Sequence, residues 1–210
     1  MSYETIVADA LLSIQAIKYV GDTPIKFKSG ILSPVYVDNR TIPYHPQAWK
    51  QIIEGFQSAI TEQNIPFDLI AGVAVGGVPH SSALAYAMGM PSVFVRTEAK
   101  QHGTSQLVEG GDVREKRVLL VEDLITTGGS SLKGIEGLRN AGAQVDYLLA
   151  IVSYGFEVAK ETFITNAITA LTLTTFETIL TRGVATNYFT PEQADTIRAW
   201  QASPYTWGTQ

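Results

Sequence analysis

Two adjacent carboxylates, Glu122 and Asp123, close the apolar run Val118-Leu119-Leu120-Val121, and the chain continues Leu124-Ile125-Thr126-Thr127-Gly128-Gly129-Ser130-Ser131. An uninterrupted aliphatic run reads as a strand buried on both faces, as in the parallel sheet of an α/β domain. The polar residues then fall at its carboxyl end, the edge of such sheets where ligands bind. A helix is expected after Gly129, capped by Ser130 or Ser131, with Leu132, Ile135 and Leu138 near one face and Gly142 at its end. Its free N–H groups, the hydroxyls of Thr126, Thr127 and Ser130, and the close approach that Gly128 and Gly129 permit would cradle one phosphate. Carboxylates beside a phosphate repel it unless they hold a metal ion or accept hydrogen bonds from hydroxyl groups. A phosphorylated ribose meets both requirements. The plainer alternative is an ordinary strand-to-helix turn with a solvated acidic pair. No Gly-x-x-x-x-Gly-Lys-Ser/Thr segment occurs, and Gly72-Val73-Ala74-Val75-Gly76-Gly77 lacks the glycine spacing of a dinucleotide-binding turn.

A repeated rhythm of strands and helices positions this segment. Strands are expected at 69–74 and 92–95 with a helix over 81–88 between them, and strand, helix and strand follow across 117–152. Two further rounds read at 158–166 with 168–173, and at 176–184 with a helix over 191–201. Such alternation implies parallel pairing through right-handed crossovers, hence an α/β fold with a mostly parallel twisted sheet flanked by helices. Upstream, Ile6, Ala10, Ile14 and Ile17, with Val7 and Leu11, have helical spacing and predict an amphipathic helix within 1–20. A pair of short strands is expected around 25–27 and 34–37, then a proline-rich turn at 43–46 and a helix over 47–63. The turn Asn64-Ile65-Pro66 closes this unit. Residues 1–65 therefore read as an N-terminal subdomain and 66–210 as the core with a helical tail, in a single compact unit.

The polar interval 97–116 is too long for a tight connection, and loops of this length are commonly functional lids. Lys100 and His102 give it donors suited to a pyrophosphate, while Gly103, Gly110 and Gly111 allow movement. A solvated loop with incidental charges is the alternative. His45 and His80 show no metal-ligand spacing and read as structural. The 210 residues, 45% of them hydrophobic, suffice for one substantial core. A net charge of −5 argues against a general nucleic-acid surface. The absence of cysteine excludes disulfides and thiolate chemistry and suits a reducing cytosol. No apolar run approaches the ~20 residues that cross a bilayer, so no membrane partner is expected.

Residues 118–131 resemble the phosphoribosyl-pyrophosphate (PRPP) motif of type I phosphoribosyltransferases. The other landmarks are similar to those of the orotate phosphoribosyltransferases. They are Phe27-Lys28-Ser29-Gly30 followed by Ser33-Pro34-Val35-Tyr36, the stretch 72–79, and Arg96-Thr97-Glu98-Ala99-Lys100-Gln101-His102-Gly103 leading to Glu109-Gly110. The PRPP motif alone names the superfamily; the Lys-Ser-Gly-x-x-Ser-Pro and Arg-x-x-x-Lys-x-His-Gly segments, in this order, point to the orotate enzymes. The resemblance covers nearly the whole chain. It implies the type I phosphoribosyltransferase fold with a small N-terminal hood, and a cytoplasmic homodimer in which loop 97–116 closes over the partner's site. It also implies a Mg²⁺-dependent transfer of the 5-phosphoribosyl group from PRPP to orotate, giving orotidine 5′-monophosphate and pyrophosphate in de novo pyrimidine (UMP) biosynthesis. Mg²⁺ would be held mainly by PRPP.

On that resemblance, PRPP meets Gly76, Gly77, Arg96, Lys100 and His102, and then Glu122, Asp123, Leu124, Ile125, Thr126, Thr127, Gly128, Gly129 and Ser130. Lys100, His102 and Asp123 are the catalytic residues, and orotate meets Thr126, Lys28 and Tyr36. Lys28 would pair with the orotate carboxylate or the phosphates, and Tyr36 would stack on the base or serve as an ordinary hairpin aromatic. Some relatives carry lysines at the positions of Gly76 and Thr97, so Arg96, Lys100 and His102 must do more here. Many carry an Asp-Arg-x-Glu-Gly segment where this chain reads Val152-Ser153-Tyr154-Gly155-Phe156-Glu157, which leaves the orotate carboxylate without that arginine. Two alternatives stand beside this reading: a phosphoribosyltransferase for another nucleobase, and a non-catalytic PRPP-binding regulator. The regulator would normally bring a DNA-binding head, and residues 1–65 show no basic recognition helix.

Overall fold

The computed structural model describes residues 2–27, 29–98 and 107–208; Lys28, Lys100 and His102, all given roles by the resemblance, lie outside them. The chain opens with α1 (Tyr3–Ser13), capped by the Ser2 hydroxyl, which accepts from the Thr5 N–H. The helix stops short of the expected span because Gln15 takes a φ of 55° and Ile17 pairs with Val37. The short strands β1 (Ile17–Tyr19), β2 (Ile25–Lys26), β3 (Leu32–Ser33) and β4 (Val35–Val37) make two antiparallel ribbons, β1 with β4 and β2 with β3. The expected strands around 25–27 and 34–37 are therefore present, but each pairs elsewhere. A 3-10 helix, Asn39–Tyr44, leads into α2 (Pro46–Glu62).

The core then runs β5 (Leu69–Val73), α3 (Gly77–Met88), β6 (Ser92–Val95), β7 (Val108–Glu109), β8 (Arg117–Ile125), α4 (Gly129–Asn140), β9 (Gln144–Ser153), α5 (Glu157–Thr165), β10 (Thr169–Thr175), α6 (Phe176–Ala185) and α7 (Pro191–Ala202). Helix α3 starts before residue 81 because Pro79 lies in its first turn, where a missing N–H leaves no hydrogen bond unmade. The six-stranded sheet has the order β10-β9-β8-β5-β6-β7. All its pairings are parallel except β7 against β6. Residues 176–185 are helical and supply no further strand; Phe176, Ile179, Leu180 and Gly183 are buried at helical spacing, and the Thr175 hydroxyl caps the helix.

Strand residues alternate between two apolar layers. Ile70, Leu119, Val121, Leu149 and Ile151 join residues of α1, α2, α3, α6 and α7, whereas Ala71, Val73, Val118, Leu120, Leu148 and Ala150 join Ile135, Leu138 and Phe163 of α4 and α5. This period of two, with both faces covered, is what an all-aliphatic parallel strand requires. The N-terminal elements are bound to the tail by polar contacts as well. Arg182 Nε and Nη2 each donate to the Asp9 carboxylate at 2.8 Å, and Trp200 Nε1 donates to the Leu32 carbonyl at 2.7 Å.

Candidate active site

Strand β8 pairs with β5 only from Leu69↔Val118 to Gly72↔Val121, while its other edge stays on β9 as far as Ile125↔Ser153. The strand order reverses at this place, because β5 leads to β6 on one side and the chain returns as β8 on the other. Crevices at such reversals, outside the carboxyl ends of strands, hold ligands. Here an open cleft of about 530 Å³ is lined by Arg40, residues 73–76, 96–98 and 122–124, and Ser130. A recess of about 60 Å³, lined by residues 124–131, adjoins it through Leu124 and Ser130.

The recess is built by the start of α4. Gly128, at φ 81°, precedes the helix and no side chain caps it, so the first N–H groups keep their hydrogen-bonding capacity for a ligand. This corrects the expected serine cap: Ser130 and Ser131 lie inside the helix, and the buried Ser131 hydroxyl donates to Glu122 Oε2 at 3.2 Å. Glycine at 128 also has a packing reason, beside the expected approach of a ligand. A Cβ there would meet Phe163 Cζ at 3.1 Å on a left-handed backbone, whereas one at Gly129 would face open space apart from Thr127 Oγ1 at 3.9 Å.

Glu122 is 5% exposed and also accepts the Asp123 N–H at 3.3 Å. Burial, and then the charge of Asp123, push its carboxyl well above the usual range. Burial raises Asp123 too, against hydrogen bonding and the positive charge of Arg40, which oppose the shift. Hydroxyl donors or a cation brought into the cleft would favour their ionised forms. The loop after β5 presses directly on this pair. A Cβ on Gly76 would stand 2.3 Å from Asp123 Oδ1, and one on Gly77 would stand 2.4 Å from the Val121 carbonyl oxygen. From the start of the 3-10 helix, Asn39 Nδ2 donates to the main-chain carbonyl of Asp123 at 2.7 Å.

Arg96 and Arg40 supply positive charge to the lining. The main-chain N–H of Arg96 donates to Leu107 O at 2.9 Å and its Nε to Glu109 Oε1 at 2.5 Å. Arg40 grips both oxygens of Asp38, at 2.7 and 3.0 Å, and donates to Tyr36 Oη at 2.7 Å. Of the expected residues, Gly76, Arg96, Glu122, Asp123, Leu124 and Ser130 line the cleft, and Leu124, Ile125, Thr126, Thr127, Gly128, Gly129 and Ser130 line the recess. Gly77 begins α3 beside them, while Tyr36 lines neither cavity. Asn39 and Arg40 escaped sequence reasoning; their signal was the polar trio Asp38-Asn39-Arg40 at the end of the strand residues Val35-Tyr36-Val37. Tyr154, in the segment where many relatives carry an arginine, is 1% exposed and packs its ring 5.0 to 5.8 Å from those of Phe27, Phe156, Phe176 and Trp200. Among the described residues no group of three or more His, Cys, Asp or Glu side chains could hold a metal ion.

Residues 42–157 match the phosphoribosyl transferase domain family. Over 207 residues the chain is 36% identical to the orotate phosphoribosyltransferase of Cytophaga hutchinsonii, covering 99% of each. The chain belongs to the orotate phosphoribosyltransferase family. A solved orotate phosphoribosyltransferase, from Aeropyrum pernix, is 30% identical, with a TM-score of 0.73 over 84% of this chain and 97% of its own. The UMP synthase of Leishmania donovani, 24% identical, shares the fold with a TM-score of 0.81 over 95% of this chain and 42% of its own. The sheet and its flanking helices are thus the type I phosphoribosyltransferase fold, and this family member is a phosphoribosyl-transferring enzyme. Among the described residues no helix is long and apolar enough to cross a membrane.

Proposed function

We propose that the protein transfers the 5-phosphoribosyl group of PRPP to orotate, giving orotidine 5′-monophosphate and pyrophosphate in de novo pyrimidine synthesis. The observation that carries this reading is the junction of the two cavities. A phosphate-sized recess at a helix start opens, through Leu124 and Ser130, into a larger cleft whose floor is an acidic pair. Residues 126–130 hold the 5′-phosphate, with Leu124 and Ile125 fixing the loop, and Thr126 also meets the base. Glu122 and Asp123 accept the ribose hydroxyls, and these hydrogen bonds strengthen as positive charge grows on the ribose ring. Gly76 and Gly77 present backbone to the pyrophosphate. Arg96, Lys100 and His102 meet the charge that develops on the leaving group; Lys28 and Tyr36 contact orotate.

The donor set suits a Mg²⁺ ion held mainly by PRPP, because among the described residues the cleft offers one adjacent pair of carboxylates, Glu122 and Asp123, both raised by burial, with Glu98 on a separate segment, and no cluster that could hold a metal ion by itself. When bound, the ion would supply positive charge to the pyrophosphate oxygens. No residue has to form a covalent bond to substrate: the chain's own groups bind, orient and exclude water. We assign the enzyme to the cytoplasm, as a homodimer that shares loop 97–116 across the interface, with residues 1–65 as a hood unit over a 66–210 core. Purified protein supplied with PRPP and Mg²⁺ should form orotidine monophosphate from orotate, and far less product from uracil, hypoxanthine or adenine. A preference for another base would overturn the substrate assignment, and absence of any transfer would leave PRPP binding alone.

A further inference from the structure

We infer that Arg40, carried by the 3-10 helix of the hood, is a further anion-recognition residue of the cleft and presents its Nη1 edge to the pyrophosphate group. The inference rests on the proposed function of that cleft and concerns a residue outside the glycine, Arg96 and loop contacts assigned there. Arg40 lines the same cavity as residues 73–76 and 96–98, and it is absent from the lining of the phosphate recess. Its guanidinium is held in one plane. Nε and Nη2 bind the two Asp38 oxygens, and Nη2 also donates to Tyr36 Oη. Nη1, with two N–H groups, makes no hydrogen bond among the described residues, and the side chain is 63% exposed. A fork tied on one edge and open on the other is preorganised for an anionic oxygen, since its orientation is fixed before the ligand arrives.

Charge balance calls for such a group. The cleft lining carries Glu98, Glu122 and Asp123, which repel a pyrophosphate, and its described cations are Arg40 and Arg96 on separate elements. Arg96 spends its Nε on Glu109. A Cβ at Gly76 would displace the Asp123 carboxylate, so at this position the loop presents backbone to the cleft and adds no positive charge. Arg40 is the described cation that comes from the hood side, and it faces the acidic floor closely enough for its charge to act on Asp123. The same guanidinium chemistry would bind the carboxylate of the base. The lining favours pyrophosphate, because Arg40 shares its cavity with 73–76 and not with Thr126 or Ser153.

Titration calorimetry separates these sources. Wild type, Arg40→Gln and Arg40→Lys are each titrated with magnesium pyrophosphate, ribose 5-phosphate and orotidine monophosphate, with thermal melting as the folding control. Arg40→Gln should weaken pyrophosphate roughly ten- to a hundred-fold, the usual worth of charged hydrogen bonds. Ribose 5-phosphate and orotidine monophosphate should change less than about three-fold, and Arg40→Lys should recover only part of the loss because it lacks the fork. Asp38→Asn should produce a smaller loss on pyrophosphate by releasing the guanidinium plane. Selective weakening of orotidine monophosphate would overturn the proposal and give Arg40 to the base. Unchanged pyrophosphate affinity in Arg40→Gln would overturn it too, leaving Arg40 as a tie between Asp38 and Tyr36. Should wild type fail to use orotate while Arg40→Gln still loses pyrophosphate, the substrate assignment falls and the role of Arg40 stands.

Discussion

Asn39 and Asp123, 84 positions apart in the chain, meet in one hydrogen bond of 2.7 Å from the Asn39 amide to the Asp123 carbonyl. Asn39 is 1% exposed, so this buried side chain ties the start of the 3-10 helix to the acidic end of β8. Replacing Asn39 by Ala leaves a partly buried carbonyl without its donor, which costs about 1–3 kcal/mol. We expect a lower melting temperature together with a kcat reduced by about ten-fold, as the backbone of the carboxylate proposed to hold the ribose loses its anchor. Full activity at reduced stability would show that the tie serves folding only.

Gly76 and Gly77 should separate function from folding. An Ala at 77 drives its methyl into the Val121 carbonyl, which belongs to a central strand, so thermal stability should fall by several degrees. An Ala at 76 meets the Asp123 carboxylate, which can turn away, so folding should survive while kcat/KM for PRPP drops by about a hundred-fold. Melting curves and steady-state kinetics on both variants decide the matter; a fully active Gly76→Ala enzyme would detach Asp123 from the reaction.

Burial holds His80 near a pKa of about 4, against 6.5 for the free side chain. The protein therefore folds around a neutral imidazole, and charging it favours the unfolded chain. The stabilising contribution is present above pH 6.5 and is lost as pH falls toward 4, by about 3 kcal/mol at most. Carboxylates titrate over part of the same range, so the measure is the difference between wild type and His80→Leu in denaturant melts. That difference should shrink in favour of the variant as the solution is acidified. A constant difference from pH 7 to 4 would show that the imidazole does not titrate in this window.

The proposed sharing of loop 97–116 predicts complementation. Lys100→Ala spoils the lent loop and Asp123→Asn the receiving site, so each homodimer should be nearly inactive. After subunit exchange about half the dimers are hybrids, each with one intact site of two, and activity should approach roughly a quarter of wild type under two-fold symmetry. No recovery in fully exchanged mixtures would confine the loop to its own subunit.

The β8 to α4 segment was legible in the sequence because its chemistry is local: strand, acidic pair, loop and helix start follow one another without a break. The parallel sheet was legible for the same reason, through aliphatic runs separated by helical spacing. Local rules failed where a distant partner decides. Ile17 continues the spacing of α1 yet joins β1, since Val37 offers it a strand neighbour. Ser130 has the right residue type for a cap, but the left-handed Gly128 starts the helix earlier. Asn39 and Arg40 matter through Asp123, far along the chain, and the polar run Asp38-Asn39-Arg40 marks a polar turn without naming that partner.

The unequal pairing of β8 makes the strand a ruler. Beyond Val121 it has lost β5 on one edge, and from Glu122 to Ile125 it runs along β9 alone. Four extended residues span about 13 Å at the rise of a β-strand. One end of that overhang opens on the small recess before α4 and the other abuts the loop at Gly76, so the count of residues between them sets the distance from recess to loop. Removing one residue there would shorten the gauge by about 3.3 Å and turn every later side chain to the opposite face of the sheet. With the 5′-phosphate seated in the recess as proposed, a substrate lacking that group would fill only one end of the gauge, and the enzyme would measure its ligand without touching every atom of it.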